Sequence, residues 1–129
     1  MLSRTVTVTL AAPRDEVFAY LSKLESLPEW ADEFAREIRF DDGVAFVRNG
    51  LGEFLFSIDA DERTGVIDMY AGPTADELAL FPTRVVSLPG GGSAYSFTMF
   101  QPPEMPDELF DSQYESLRRE LENVRRTFD

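Results

Sequence analysis

The chain has 129 residues, with no cysteine, no histidine and 24 acidic against 12 basic side chains, for a formal charge of −12. That charge repels phosphate backbones and anionic membrane surfaces, so nucleic-acid and lipid-headgroup partners are excluded. The missing residue types exclude disulfides, thiol nucleophiles, serine–histidine triads and zinc sites of the usual ligand set.

No apolar run approaches the roughly 20 residues of a membrane span, so no membrane insertion is expected. Length and 43% hydrophobic content predict one domain over residues 1–129, cytoplasmic by default. In chain order, Thr5–Leu10 alternates with period two and predicts a strand with Val6, Val8 and Leu10 inward. Pro13 opens a helix, with Asp15 and Glu16 in its first turn and Val17, Phe18, Tyr20, Leu21 and Leu24 apolar. Pro28 starts a second short helix, on which Trp30 and Phe34 stand four apart. Ile38 and Phe40 then alternate with charges up to Asp41-Asp42-Gly43. Val44–Arg48 meets Leu51–Asp59 across Asn49-Gly50, a strong hairpin signal. Val66–Ala71, Leu78–Leu88 and Ala94–Phe100 complete the strands, and Pro82 marks the middle one of these three as an edge or a bulge.

Pro102-Pro103 breaks the sheet before a long last helix. Its apolar residues Phe110, Tyr114, Leu117, Leu121, Val124 and Phe128 fall four and three apart, hence on one stripe. Asp107 and Glu108 suit the positive start of that helix, and four arginines crowd its negative end. Glu115/Arg119 and Glu122/Arg126 predict ion pairs at i,i+4. A helix of this length with a single apolar face needs a concave partner, which the strands supply.

This order, with Ala11-Ala12-Pro13-Arg14-Asp15-Glu16-Val17-Phe18 opening the first helix and Leu27-Pro28-Glu29-Trp30 the second, resembles the START/SRPBCC superfamily. That superfamily includes polyketide cyclase-like and pollen-allergen-like proteins. Phe97–Pro103, leading into the last helix, is similar to a bacterial branch of it. The resemblance implies an α+β helix-grip fold: a curved antiparallel sheet of about six to seven strands around a long C-terminal helix, with two short helices after the first strand. It implies a pocket between sheet and helix, and uses that include lipid or hormone carriage, polyketide cyclisation and co-chaperone activity.

Asp68 is the one specific catalytic candidate, because it interrupts the apolar run Val66–Tyr70. Facing a cavity, it would be a general acid or base; facing outward, it would be solvated or paired with Arg84. The resemblance implies a histidine after this aspartate; here Met69 stands, so an imidazole relay is excluded. Arg84 has the shape to hold a ligand carboxylate in bidentate fashion, and Tyr20, Tyr70, Tyr95 and Tyr114 are possible donors. The expected ligand-binding set is Trp30, Phe34, Phe54, Phe56, Asp68, Tyr70, Arg84, Tyr95, Phe97, Phe110, Tyr114 and Leu117, with Trp30 and Phe34 capping the mouth. Arg48 and Glu53 predict a cross-strand ion pair. Asp59-Ala60-Asp61-Glu62 lacks calcium-loop spacing, and Gly90-Gly91-Gly92 joins two strands rather than opening a helix, so neither metal nor phosphate is expected there.

Eleven Phe and four Tyr beside scarce catalytic residue types favour a binding protein, without cofactor, for a small hydrophobic or amphipathic molecule. A cyclase- or dehydratase-like enzyme working through carboxylate or tyrosine is the first alternative. A co-chaperone-like interaction module is the second. Monomer and homodimer are both compatible with the sequence.

Overall fold

The computed structural model describes all 129 residues. β1 (Ser3–Leu10) leads into α1 (Arg14–Leu21), one tight helical turn (Leu24–Ser26) and α2 (Leu27–Trp30). Six strands follow: β2 (Glu37–Asp41), β3 (Val44–Asn49), β4 (Gly52–Asp61), β5 (Val66–Gly72), β6 (Ala79–Ser87) and β7 (Ser93–Phe100). The chain ends in α3 (Asp107–Thr127).

The strands form one antiparallel sheet in the order β1-β7-β6-β5-β4-β3-β2. Period-two alternation gives this sheet a core face carrying Val47, Phe56, Ile67, Met69, Val85, Tyr95 and Met99. Against that face lie Leu117, Leu121 and Val124 of α3, the last two without exposed surface. Burying such a side chain contributes roughly 1.5–3 kcal/mol. The apolar stripe of the sequence is therefore the packing face of α3.

Several local expectations shift. The β3–β4 turn is Gly50–Leu51, with Asn49 paired to Gly52. Asn49 does not sit at the turn's centre because its side chain is committed on both sides. Its Oδ1 accepts from the Leu51 N–H at 2.8 Å, and its Nδ2 donates to the Phe34 carbonyl at 2.8 Å. Pro13 and Pro106 stand just before their helices in extended conformation, not at the first helical position. α2 ends at Trp30, so Phe34 lies beyond it. The pairs on α3 form at i,i+3 instead, Glu115 with Arg118 and Glu122 with Arg125, because Arg119 reaches across to Glu33. Phe128 leaves the helix and packs edge-on against Tyr20 at 5.3 Å.

Pro82 occupies a particular place. Val85 donates to the Gly65 carbonyl on the β5 side, so alternation aims the donor that Pro82 lacks toward β7. Pairing of β6 with β7 stops one residue later, at Thr83↔Phe97, whereas β7 stays paired with β1 to Phe100. Ala79–Pro82 and Thr98–Phe100 thus part company, and the sheet forks.

Candidate functional site

Between the sheet and α3 lies a cavity of about 1110 Å³, and 20 of its 33 lining residues are hydrophobic. Phe54 and Phe56 of β4, Met69 and Ala71 of β5, Phe81 of β6 and Phe97 and Met99 of β7 form the sheet wall. Leu27 and Trp30 of α2 and Phe34 add a third side. Where the sheet forks, Leu78–Phe81 and Met99–Phe100 border the opening, and Leu78, Leu80 and Phe100 are 38–40% exposed at this rim. The volume lies slightly above the range of about 300–1,000 Å³ that small-molecule pockets usually occupy.

The helix wall differs in chemistry. Leu109, Ser112, Gln113, Ser116, Leu117 and Glu120 face the cavity. Leu109, Gln113, Ser116 and Glu120 each precede a member of the packing stripe, namely Phe110, Tyr114, Leu117 and Leu121. One residue is a rotation of about 100° around a helix, so α3 offers two adjacent faces, one for packing and one, largely polar, for the cavity. From Leu109 to Glu120 the cavity face runs about 16 Å along the axis.

Glu120 is the most perturbed group at this wall. It is 4% exposed, at the inner end of the polar row. Its Oε2 accepts backbone N–H groups of Glu33 and Phe34 at 3.1 and 2.9 Å, while Oε1 has no partner in the chain. Burial pushes its pKa up to about 7 against the pull of those two N–H donors, and the nearby acidic Glu33 and Asp32 push the same way. Neighbouring contacts hold the loop in place. Arg119 grips Glu33 through two bonds of 2.7 and 2.8 Å, which holds that carboxyl below its ordinary range. Asn123 donates to the Trp30 carbonyl at 3.0 Å and to Asp32 at 3.1 Å. Sequence reasoning missed Glu120 because a charged residue on a long helix reads as solvated. The signal was its spacing, three after Leu117 and four before Val124, on the inward side.

Of the twelve expected ligand-binding residues, the structure brings Trp30, Phe34, Phe54, Phe56, Phe97 and Leu117 together at the cavity wall. The other six lie elsewhere. Asp68 and Tyr70 alternate with buried Ile67, Met69 and Ala71 and so point to the outer face, where Asp68 stands opposite Asp59. Arg84 is exposed on that face and donates to the Thr64 carbonyl at 3.2 Å, making no ion pair with Asp68. Tyr95 is sealed in the core, edge-on to Trp30 at 6.3 Å. Phe110 and Tyr114 turn toward β1, where the Arg4 guanidinium lies 5.4 and 4.6 Å from their ring centres and pairs with Asp111. Trp30 is not at the mouth either: at 1% exposure it is an inner wall. Arg48 does face Glu53, at 3.8 Å, but Arg39 holds Glu53 more closely, with bonds of 2.7 and 2.9 Å.

No protein-family model matches the chain, and none of the curated proteins resembles it in sequence. Solved structures do resemble it in shape. The XoxI protein of Bacillus cereus superposes with a TM-score of 0.78 at 15% identity, over 99% of this chain and 96% of its own. The Aha1 dimer from Colwellia psychrerythraea gives 0.74 at 11% identity, over 99% and 96%. Ara h 8.0201 gives 0.66 at 16% identity, over 98% and 97%. The fold is a helix grip, a curved antiparallel sheet around a long C-terminal helix. At such identities the likeness carries the architecture and nothing of the chemistry. No helix is long and apolar enough to cross a membrane.

Proposed function

We propose that this chain binds a small hydrophobic or amphipathic molecule in the cavity between sheet and α3, without transforming it. The observation that carries the reading is the cavity itself, about 1110 Å³ with a mostly apolar lining. Interiors are normally packed with few voids larger than a water molecule, so a space this large needs an occupant to be of use. An uncharged apolar fluorescent probe, such as N-phenyl-1-naphthylamine, should bind the native protein and raise its melting temperature by mass action. Failure of a broad panel of apolar probes to do either would sink the carrier reading.

One observation favours a second reading, an enzyme moving protons. The candidate is no longer Asp68, which lies on the outer face, but Glu120, a cavity-wall residue with one carboxyl oxygen free of partners and its pKa pushed up to about 7 by burial. Asp68→Asn should leave probe binding unchanged under either reading. Turnover of a ligand co-purified with the native protein, abolished in Glu120→Gln with binding kept, would establish the enzyme over the carrier.

A further inference from the structure

A carboxylate 96% removed from solvent is costly unless its oxygens are satisfied, and Glu120 is satisfied on one side only. Stapling the loop through the Glu33 and Phe34 N–H groups occupies Oε2 and accounts for the residue's position. It leaves Oε1 unexplained. An amide at this position would staple the loop equally well without a buried charge. The free oxygen belongs to a residue of the cavity wall, and it is not sealed among the fully buried polar atoms that lack partners, which are Trp30 Nε1 and Tyr95 Oη.

The charges around the lumen are predominantly acidic. Glu33, Glu77, Glu104 and Glu120 line it with Arg36 as the only basic lining residue, in a chain of net charge −12. Glu33 is already neutralised by Arg119, and Asp32 accepts from Asn123. Glu77 and Glu104 make no ion pair. A ligand carboxylate entering this space meets Glu77, Glu104 and Glu120, against which the wall sets only Arg36 and the Met1 amino group. A ligand cation meets attraction from the same three.

We propose that the cavity selects an apolar molecule carrying a basic nitrogen, seated with its protonated amine on the free oxygen of Glu120. This rests on the cavity-binding reading above and names the head group that reading left open. The sheet wall of Phe54, Phe56, Phe81 and Phe97 receives the apolar body, and the ammonium donates to Oε1 while Oε2 keeps its two backbone donors. Docking the cation favours the ionised carboxylate, so the carboxyl proton leaves on binding near neutral pH.

Three probes of matched body test the assignment by titration calorimetry at pH 7: naphthylmethylamine, naphthalenemethanol and naphthoate. The amine should bind about tenfold tighter than the alcohol, a difference of about 1.4 kcal/mol, and naphthoate should be the weakest. The amine's binding enthalpy should vary with the ionisation enthalpy of the buffer, reporting the released proton. Glu120→Gln should bring the amine down to the level of the alcohol, leave the alcohol unchanged and remove the buffer dependence. An alcohol that binds with an amine no tighter, or an amine preference that survives in Glu120→Gln, would overturn the head-group assignment and leave the cavity reading standing. Absence of binding by all three overturns both. Should Glu120→Gln fail to fold, NMR titration of the Glu120 carboxyl in the native protein decides: the amine must move it downward, and an unmoved titration rejects the proposal.

Discussion

Glu120 shows how one side chain ties stability to pH. A carboxyl whose folded pKa is raised contributes stability that is full below its unfolded value and is lost as pH rises through the folded one. With 4.5 as the ordinary value and about 7 in the fold, the loss runs between those two pH values. The shift corresponds to about 3 kcal/mol at the alkaline end. Glu33, Glu53 and Glu122, each held down by an arginine, act in the opposite sense and weaken the fold as pH falls. The informative quantity is therefore the difference between wild type and Glu120→Gln. Denaturant melts should show Glu120→Gln gaining on wild type from pH 4.5 to pH 8 by about 2–3 kcal/mol. A difference that does not change with pH would mean that Glu120 is solvated. Residue-scale legibility was uneven for a related reason. Asp68 drew attention because it broke an apolar run, but a strand with one wet face tolerates an aspartate at every second position. Glu120 escaped notice because its helix is polar on most sides.

At the scale of the element, α3 was legible as a packing helix and illegible as a cavity wall. Periodicity detects the face that needs apolar residues, and that face met the sheet as expected. A cavity wall carries no such requirement, so Ser112, Gln113 and Ser116 read as solvent-facing. Along the packing stripe the mutational costs differ. Leu121→Ala should destabilise by about 2–5 kcal/mol, because the site is fully buried and cannot collapse readily. Tyr114→Ala should cost less, since this ring is only half-buried beneath Arg4. Urea unfolding of the two variants checks the order, and equal large losses would show that Tyr114 is packed as tightly as Leu121. Pro82 is the strand counterpart. The sequence marked an edge or bulge, whereas the structure puts β6 inside the sheet and confines the edge to Ala79–Pro82. The signal located the missing hydrogen bond correctly, but not the strand's neighbours, since pairing partners are set by the whole sheet.

For the whole molecule, strand count and the terminal helix follow from turn chemistry and alternation, and these were legible because each acts over short stretches, whereas the long-range pairing of β1 with β7 was not. The volume left between sheet and helix was not, because a void depends on how far a forked, curved sheet stands off a helix rather than on any one segment. Occupying that volume from within tests whether it exists. Ala71 sits on the cavity face of β5, 7% exposed, with its methyl toward the lumen. In a close-packed core, Ala71→Phe would overpack and cost about 1–3 kcal/mol. Beside an open cavity the ring gains apolar contacts instead, so thermal unfolding should be unchanged or shifted upward while affinity for apolar probes is lost. Loss of binding together with retained stability places the binding volume inside the helix grip. A marked fall in melting temperature would mean that the sheet and α3 close on each other in solution, leaving no room for a ligand.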